Sequence, residues 1–204
     1  MHKPGILLLA AGQAKRFGAD KLMAKLADGK PVIAHTLNNL QWLAKRHGLE
    51  LTVVVRHDND ALINFLQQQH VDYSICPDAI HGMGNSIAHG IRSHQYWHGW
   101  FIALADMPLI SHQTLETLFF QAQKTPEKII RPNVLLKDQQ QAGHPVYFPR
   151  CLGFELSKLQ GDQGAKKVIS QHPDLLELVS TEDKHILTDI DTKQALANLK
   201  HDAS

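Results

Sequence analysis

Short apolar runs alternate with amphipathic stretches along the first two thirds of this chain, and that alternation restricts the fold more than any other feature. Gly5–Ala11 is a continuous apolar run, as in a strand buried on both faces. Val32, Ile33, Leu37, Leu40 and Leu43 then recur at helical spacing, and Leu51–Val55 is a second, β-branched strand. Asp58 or Asn59 can cap a helix carrying Leu62, Phe65 and Leu66. A third strand is expected at Val71–Ile75, a helix at Asn85–Ser93 reached through Gly82 and Gly84, and a fourth strand at Phe101–Leu104, ending at Ala105-Asp106-Met107-Pro108. Ser111 can cap a helix over Leu115, Leu118 and Phe119, and Ile129–Arg131 is a further strand. This βαβα rhythm predicts an α/β fold, a parallel sheet with helices on both faces.

From Pro132 the rhythm changes. Val134–Leu136 and Pro145–Phe148 flank the polar stretch Lys137–Ala142, which predicts an antiparallel excursion. Short helices are expected at Leu152–Leu159 and Gln163–Ser170, late strands at Leu175–Val179 and Ile186–Leu187, and a last helix after Thr192. With no low-complexity linker and no repeat, the simplest reading is one domain over residues 1–204.

Apolar residues make up 43% of the 204, enough for a substantial core. A net charge of +1 leaves no basic excess for a nucleic-acid backbone, so any phosphate-binding charge must be local. Gly5–Ala11 is too short to cross a membrane or to serve as a signal peptide, and the expected location is the cytoplasm. Cys76 and Cys151 form no Cys-x-x-Cys pair and read as free thiols. Among fourteen histidines, His94 and His98 have the spacing of one helical face, but no third ligand stands near them and a histidine-rich surface is the simpler reading.

The segment Leu9-Ala10-Ala11-Gly12-Gln13-Ala14-Lys15-Arg16-Phe17-Gly18-Ala19-Asp20-Lys21 follows the first strand directly. In open α/β sheets ligands bind beyond the carboxyl ends of strands. Gly12 and Gly18 let the backbone approach a ligand, Arg16 offers a planar fork to phosphate oxygens, and Lys21 a mobile point charge. Gly-x-Gly-x-x-Gly is absent, which weighs against a flavin or nicotinamide site, and so is Gly-x-x-x-x-Gly-Lys-Ser/Thr. On these residues alone, an ordinary glycine turn with solvated basic residues remains open beside phosphate binding.

The loop resembles the signature of the molybdopterin nucleotidyltransferases, the MobA-like and MocA-like family, in which Gly-x-x-x-Arg-x-Gly-x-x-Lys carries the nucleotide: Gly12, Arg16, Gly18 and Lys21 fill those places in order. The likeness continues at Ala105-Asp106-Met107-Pro108, Gly143-His144-Pro145, Gly161-Asp162-Gln163-Gly164-Ala165 and Asp189-Ile190-Asp191-Thr192, and so spans nearly the whole chain. It implies a Rossmann-like nucleotide-diphospho-sugar transferase (glycosyltransferase A-like) fold, with a mostly parallel sheet and an antiparallel excursion. It also implies Mg²⁺ held by Asp106 and Asp191, and transfer of a nucleoside monophosphate to a phosphorylated pterin. Arg16, Lys21 and the metal would supply positive charge around the α-phosphorus, and the acceptor phosphate, already anionic, needs no general base. A transient contact with a recipient molybdoenzyme follows from the same resemblance.

Guanylyl members of that family tend to carry Leu-Ala-Gly-Gly where the loop begins, and cytidylyl members Ala-Ala-Gly; Leu9-Ala10-Ala11-Gly12 resembles the second and points to CTP. His81-Gly82-Met83-Gly84-Asn85-Ser86 resembles the loop that contacts the base, Ser86 matching one serine of a pair and Asn85 replacing the other, though both residues also suit a helix cap. On the acceptor side His144, Asp162 and Lys166 are the candidates, with Lys166 where the family usually has Arg. Asp162 can cap the short helix it precedes or accept from pterin N–H groups, and Lys166 is expected one turn into that helix. The alternatives are guanylyl transfer to the same acceptor, cytidylyl or uridylyl transfer to a sugar phosphate or methylerythritol phosphate, and a non-catalytic carrier of molybdenum cofactor. The carrier needs no metal-triphosphate site, so the joint presence of Arg16, Lys21, Asp106 and Asp191 argues against it.

Overall fold

The computed structural model describes residues 3–12 and 20–190. Among these residues eight strands form one sheet: β1 (Gly5–Leu9), β2 (Leu51–Val55), β3 (Tyr73–Ile75), β4 (Gly99–Leu104), β5 (Ile129–Leu136), β6 (Gln139–Ala142), β7 (Val146–Pro149) and β8 (Leu176–Ser180). The order is β3-β2-β1-β4-β7-β5-β6, with β8 on the other edge of β5. β1 to β4 pair parallel, β7 is antiparallel to β4 and β5, β6 is antiparallel to β5, and β8 is parallel to it. The expected α/β architecture, a largely parallel sheet with an antiparallel excursion, is the one observed.

The helices are α1 (Val32–His47), α2 (Asp60–Gln68), α3 (Met83–Ser93), α4 (His112–Lys124), α5 (Gly153–Leu156) and α6 (Lys166–Gln171). The period-two alternation of β1 sends Ile6, Leu8 and Ala10 into one core with α1, α2 and α4. Leu7, Leu9 and Ala11 enter a second core with α3 and α5 on the opposite face. The helix ends follow local chemistry. Asn59 and Ser111 cap α2 and α4 through bonds from the Leu62 and Thr114 N–H groups, and Gly48 closes α1 at φ 62° behind Lys45, Arg46 and His47. α3 lies so close to β1 that a Cβ on Gly90 would stand 2.4 Å from the Leu7 Cδ1, and this fixes where the start of α3 meets the end of the strand.

Three expectations are corrected. β5 runs through Pro132 to Leu136 instead of stopping at Arg131. Within a strand the N–H and C=O of one residue point to the same side, and the Pro132 carbonyl, which accepts from the Gly143 N–H at 2.8 Å, faces Gly143-His144-Pro145, where the return path is broken into β6 and β7. The missing proline N–H therefore interrupts no ladder. Ile186–Leu187 is no strand: it belongs to a single 3₁₀ turn, Lys184–Leu187, that Asp183 caps. The helix expected from Gln163 starts only at Lys166, with Ala165 at the N-cap and no side-chain cap, so Asp162 does not cap it and Lys166 is its first residue. The helix expected after Thr192 lies outside the described residues.

Candidate functional site

The carboxyl ends of β1 and β4 open into a cleft of about 470 Å³. One wall is Leu9, Ala10, Ala11 and Gly12; a second is Leu104, Ala105 and Asp106; a third is Ala79 to Met83 with Ser86; Lys21, Asp162 and Asp189 complete it. The strand ends are locked in register, the Ala10 N–H donating to Val54 and the Ala105 N–H to Leu9. α1 pins the turn that carries Asp106. The buried Thr36 hydroxyl donates to the Ala105 carbonyl at 2.9 Å, and the Asn39 amide donates to the carbonyls of Pro108 and Ile110. Ile190, fully buried against Val32, donates its N–H to the Asp106 carbonyl at 3.0 Å, which brings the Asp189-Ile190 segment to the same turn.

Lys21 and Asp106 are 85 positions apart in sequence and form an ion pair at 2.6 Å, each about 15% exposed. Lys21 opens a short 3₁₀ turn, Lys21–Met23, which Asp20 caps by accepting from the Leu22 N–H. The cleft thus holds a cation and an anion against each other on a wall of backbone and small side chains. An arriving polyphosphate would compete with Asp106 for the ammonium group, and a divalent cation would compete with Lys21 for the carboxylate.

His144 lies within electrostatic range of Asp106, its backbone N–H on the Ile186 carbonyl at 3.0 Å and its buried Nδ1 without a partner among the described residues. Burial pulls its imidazole from 6.5 down to about 4; the Arg131 and Lys166 cations push the same way and the Asp106 carboxylate opposes. His144 is therefore neutral at ordinary pH. Where the sheet breaks after β6, the half-buried Arg131 guanidinium donates to the carbonyls of Gly143 at 3.1 Å and Ala142 at 2.9 Å. Burial lowers the Arg131 pKa.

Of the residues expected from sequence, Leu9, Ala10, Ala11, Gly12, Lys21, Ser86, Asp106 and Asp162 come together on the cleft. Asn85 does not line it, and neither residue is a helix cap: Gly82 holds the N-cap position of α3, and the Asn85 amide oxygen accepts from the Gly161 N–H at 2.9 Å. His144 and the exposed Lys166 do not line the cleft and lie within electrostatic range of one another. Arg16, Gly18 and Asp191 fall outside the described residues. His81, Gly82 and Met83 line the cleft from the loop expected to contact the base, whereas Asp189, Ala79, Ile80, Arg131, Thr36 and Asn39 were not expected as site residues. A signal existed for the last two, because a threonine and an asparagine interrupt the apolar stripe of α1 at helical spacing. The His94 Nδ1 meets the Gly90 carbonyl, its ring lies 4.3 Å from that of Trp97, and among the described residues no three His, Cys, Asp or Glu side chains are grouped to hold a metal. No helix among them is long and apolar enough to cross a membrane.

Residues 6–175 match the family described as "MobA-like NTP transferase domain". The chain is 27% identical over 207 residues to "Purine catabolism protein PucB" of Bacillus subtilis, covering 95% of each chain. It is 26% identical over 118 residues to "Probable molybdenum cofactor guanylyltransferase" of Thermococcus gammatolerans, covering 58% of this chain and 56% of that one. Among solved structures, Rv0371c of Mycobacterium tuberculosis H37Rv superposes with a TM-score of 0.81 at 22% identity over 98% of this chain and 99% of that one. The same protein's complex with manganese superposes at 0.74 and 20% identity over the same shares. By this match and by its fold, the chain belongs to the MobA-like NTP transferase family and is an enzyme of the nucleotidyltransferase type.

Proposed function

We propose that this chain, as one domain, transfers CMP from CTP to the phosphate of molybdopterin and releases pyrophosphate, with Mg²⁺ as cofactor. The observation that carries the reading is the single cleft that gathers the Leu9–Gly12 backbone, the Lys21–Asp106 pair, the Ala79–Ser86 wall and, from the second half of the chain, Asp162 and Asp189. Such a cleft suits two anionic substrates that must be brought together against their repulsion. A phosphate oxygen of the acceptor attacks the α-phosphorus; the bond from that phosphorus to the β-bridging oxygen breaks, and the electron pair leaves with pyrophosphate. Lys21 meets the negative charge that spreads over the phosphate oxygens, and Arg16 of the same loop adds a planar fork. Thr36 and Asn39 hold the Asp106 turn in place during that exchange.

The side chains fit the metal. Asp106 and Asp189 line one cleft, and Asp191, the ligand proposed together with Asp106, follows two positions after Asp189 in sequence. Magnesium prefers oxygen ligands and keeps several waters, so two carboxylates beside the nucleotide's own oxygens satisfy it. When bound, the ion neutralises the triphosphate. CTP is supported by Ala11, buried on the cleft wall where guanylyl relatives tend to have glycine, because its methyl group narrows the room for a purine. For the acceptor, Asp162 lines the cleft from the second half of the chain, His144 and Lys166 stand within electrostatic range of one another, and the molybdenum cofactor relative from Thermococcus supports a pterin. That relative's name, probable molybdenum cofactor guanylyltransferase, is also the ground for a second reading, GTP with the same acceptor. Incubation with CTP and molybdopterin, a sugar phosphate or methylerythritol phosphate in turn, following pyrophosphate, tests the assignment. Release with molybdopterin alone supports it; release only with another acceptor rejects it.

A further inference from the structure

The first turn of α3 is fastened to a loop from the far half of the chain. The Gly84 N–H donates to the Gly161 carbonyl at 2.8 Å, and the Gly161 N–H donates to the Asn85 amide oxygen at 2.9 Å, so each side gives and takes one hydrogen bond. The two backbones touch. A Cβ on Gly82 would stand 2.4 Å from the Gly161 carbonyl carbon and 2.5 Å from the Asp162 Oδ1, and one on Gly84 would stand 2.8 Å from the Gln160 carbonyl. Gly82 also holds φ 119°, a conformation that side chains oppose, so the contact is built on residues that alone permit it. Farther along, Arg92 donates to the Ser157 carbonyl at 2.7 Å and braces the same junction. The front of this junction faces the cleft: Gly82, Met83 and Ser86 line it from one side and Asp162 from the other. Among the described residues the Asp162 carboxylate makes no hydrogen bond or ion pair, and it is exposed.

We infer that Asn85 is a positioning residue that couples nucleotide occupancy to the acceptor loop, by holding the Gly161 peptide and through it the Asp162 carboxylate at the edge of the cleft. The inference rests on the reading of this cleft as the nucleotide site. The geometry assigns Asn85 no contact with the base. A nucleotide that orders Gly82–Ser86 orders Gly161 and Asp162 through the paired hydrogen bonds, and the free carboxylate is then set for a substrate N–H donor. Aspartate at position 85 keeps an oxygen for the Gly161 N–H, whereas alanine removes it.

Hydrogen exchange at the Gly161 and Asp162 amides tests this, with and without α,β-methylene-CTP, in the wild type, Asn85→Ala and Asn85→Asp. Without nucleotide, the Gly161 amide should exchange about tenfold faster in Asn85→Ala than in the wild type, as expected for one lost hydrogen bond, and Asn85→Asp should restore it. The nucleotide analogue should slow exchange at both amides in the wild type and not in Asn85→Ala. In turnover with molybdopterin, Asn85→Ala should raise KM for the acceptor while calorimetric CTP affinity stays within about twofold, and adding Asp162→Ala should cost nothing more. Equal Gly161 exchange in the wild type and Asn85→Ala, or protection by nucleotide confined to Gly82–Ser86, overturns the inference. Failure of the analogue to bind the wild type at all overturns the nucleotide reading itself, and with it the coupling.

Discussion

Gly143→Ala is the substitution whose effect the structure fixes most closely. A Cβ at this position would stand 2.2 Å from the Ile186 carbonyl oxygen and 2.7 Å from its carbon, where ordinary contact begins near 3.4 Å. The obstacle is backbone, so no rotamer change relieves it, and the Lys184–Leu187 turn must move by roughly 1 Å to admit the methyl group. Overpacking of this kind costs about 1–3 kcal/mol. The shift also lengthens the hydrogen bond from the His144 N–H to the Ile186 carbonyl, now 3.0 Å, a further loss of about 1 kcal/mol. A total of about 2–4 kcal/mol corresponds to a Tm lower by roughly 5–15 °C for a chain of this size. The displaced turn leads directly into Asp189 and Ile190, and Ile190 is bonded to the Asp106 carbonyl. Turnover should therefore fall even well below the new Tm. Differential scanning calorimetry together with turnover at low temperature measures both. A variant with wild-type Tm would refute the packing argument; a lowered Tm with full turnover would refute the link from Gly143 to the Asp106 turn.

Three further outcomes follow from the site. Lys21→Ala should lower turnover roughly a hundred- to a thousandfold, as loss of one preorganised charge-stabilising donor does; steady-state kinetics at saturating nucleotide checks it, and undiminished turnover would remove Lys21 from the chemistry. CTP should be preferred over GTP by about 1–3 kcal/mol, the scale of a small steric difference in a pocket, and equal use of both in competition would reject the role given to Ala11. The His144 pKa of about 4 lies below the ordinary 6.5, so between those values the unfolded chain binds more protons than the folded one. The stability it contributes is complete above about 6.5 and is lost as pH falls toward about 4, roughly 3 kcal/mol in all. Denaturation at about pH 7 and about pH 4.5 should show a smaller acid loss in His144→Gln than in the wild type, and equal losses would place the acid-sensitive group elsewhere.

The parallel half of the fold was legible because each of its strands is short, apolar and followed by a capped or amphipathic helix: Leu51–Val55 has the expected bounds, and Asn59 and Ser111 cap where they were expected to. The second half was harder for physical reasons. Pro132 reads as the end of a strand, and only the partner path shows that its missing N–H faces a break. Ile186 is as buried as a strand residue, but local sequence cannot tell that its carbonyl serves the His144 N–H. In the site, the Lys21–Asp106 pair joins two segments that were each conspicuous in the sequence, a glycine loop and a carboxylate at a strand end. That Asn85 meets another loop was not legible, because a polar residue after a glycine turn looks the same whether it faces a ligand or another loop. Its partner, Gly161, lies 76 positions away and has no side chain to announce the contact.

Whether the chain joins CMP to molybdopterin is decided by mass-spectrometric detection of the product after CTP, molybdopterin and Mg²⁺ are incubated with the wild type and with Asp106→Asn. The wild type should form molybdopterin joined to CMP with one pyrophosphate released per product, and the variant should need a higher magnesium concentration for the same rate. Absence of the joined product with CTP and with GTP alike, in a protein that calorimetry shows to bind nucleotide, would contradict the account.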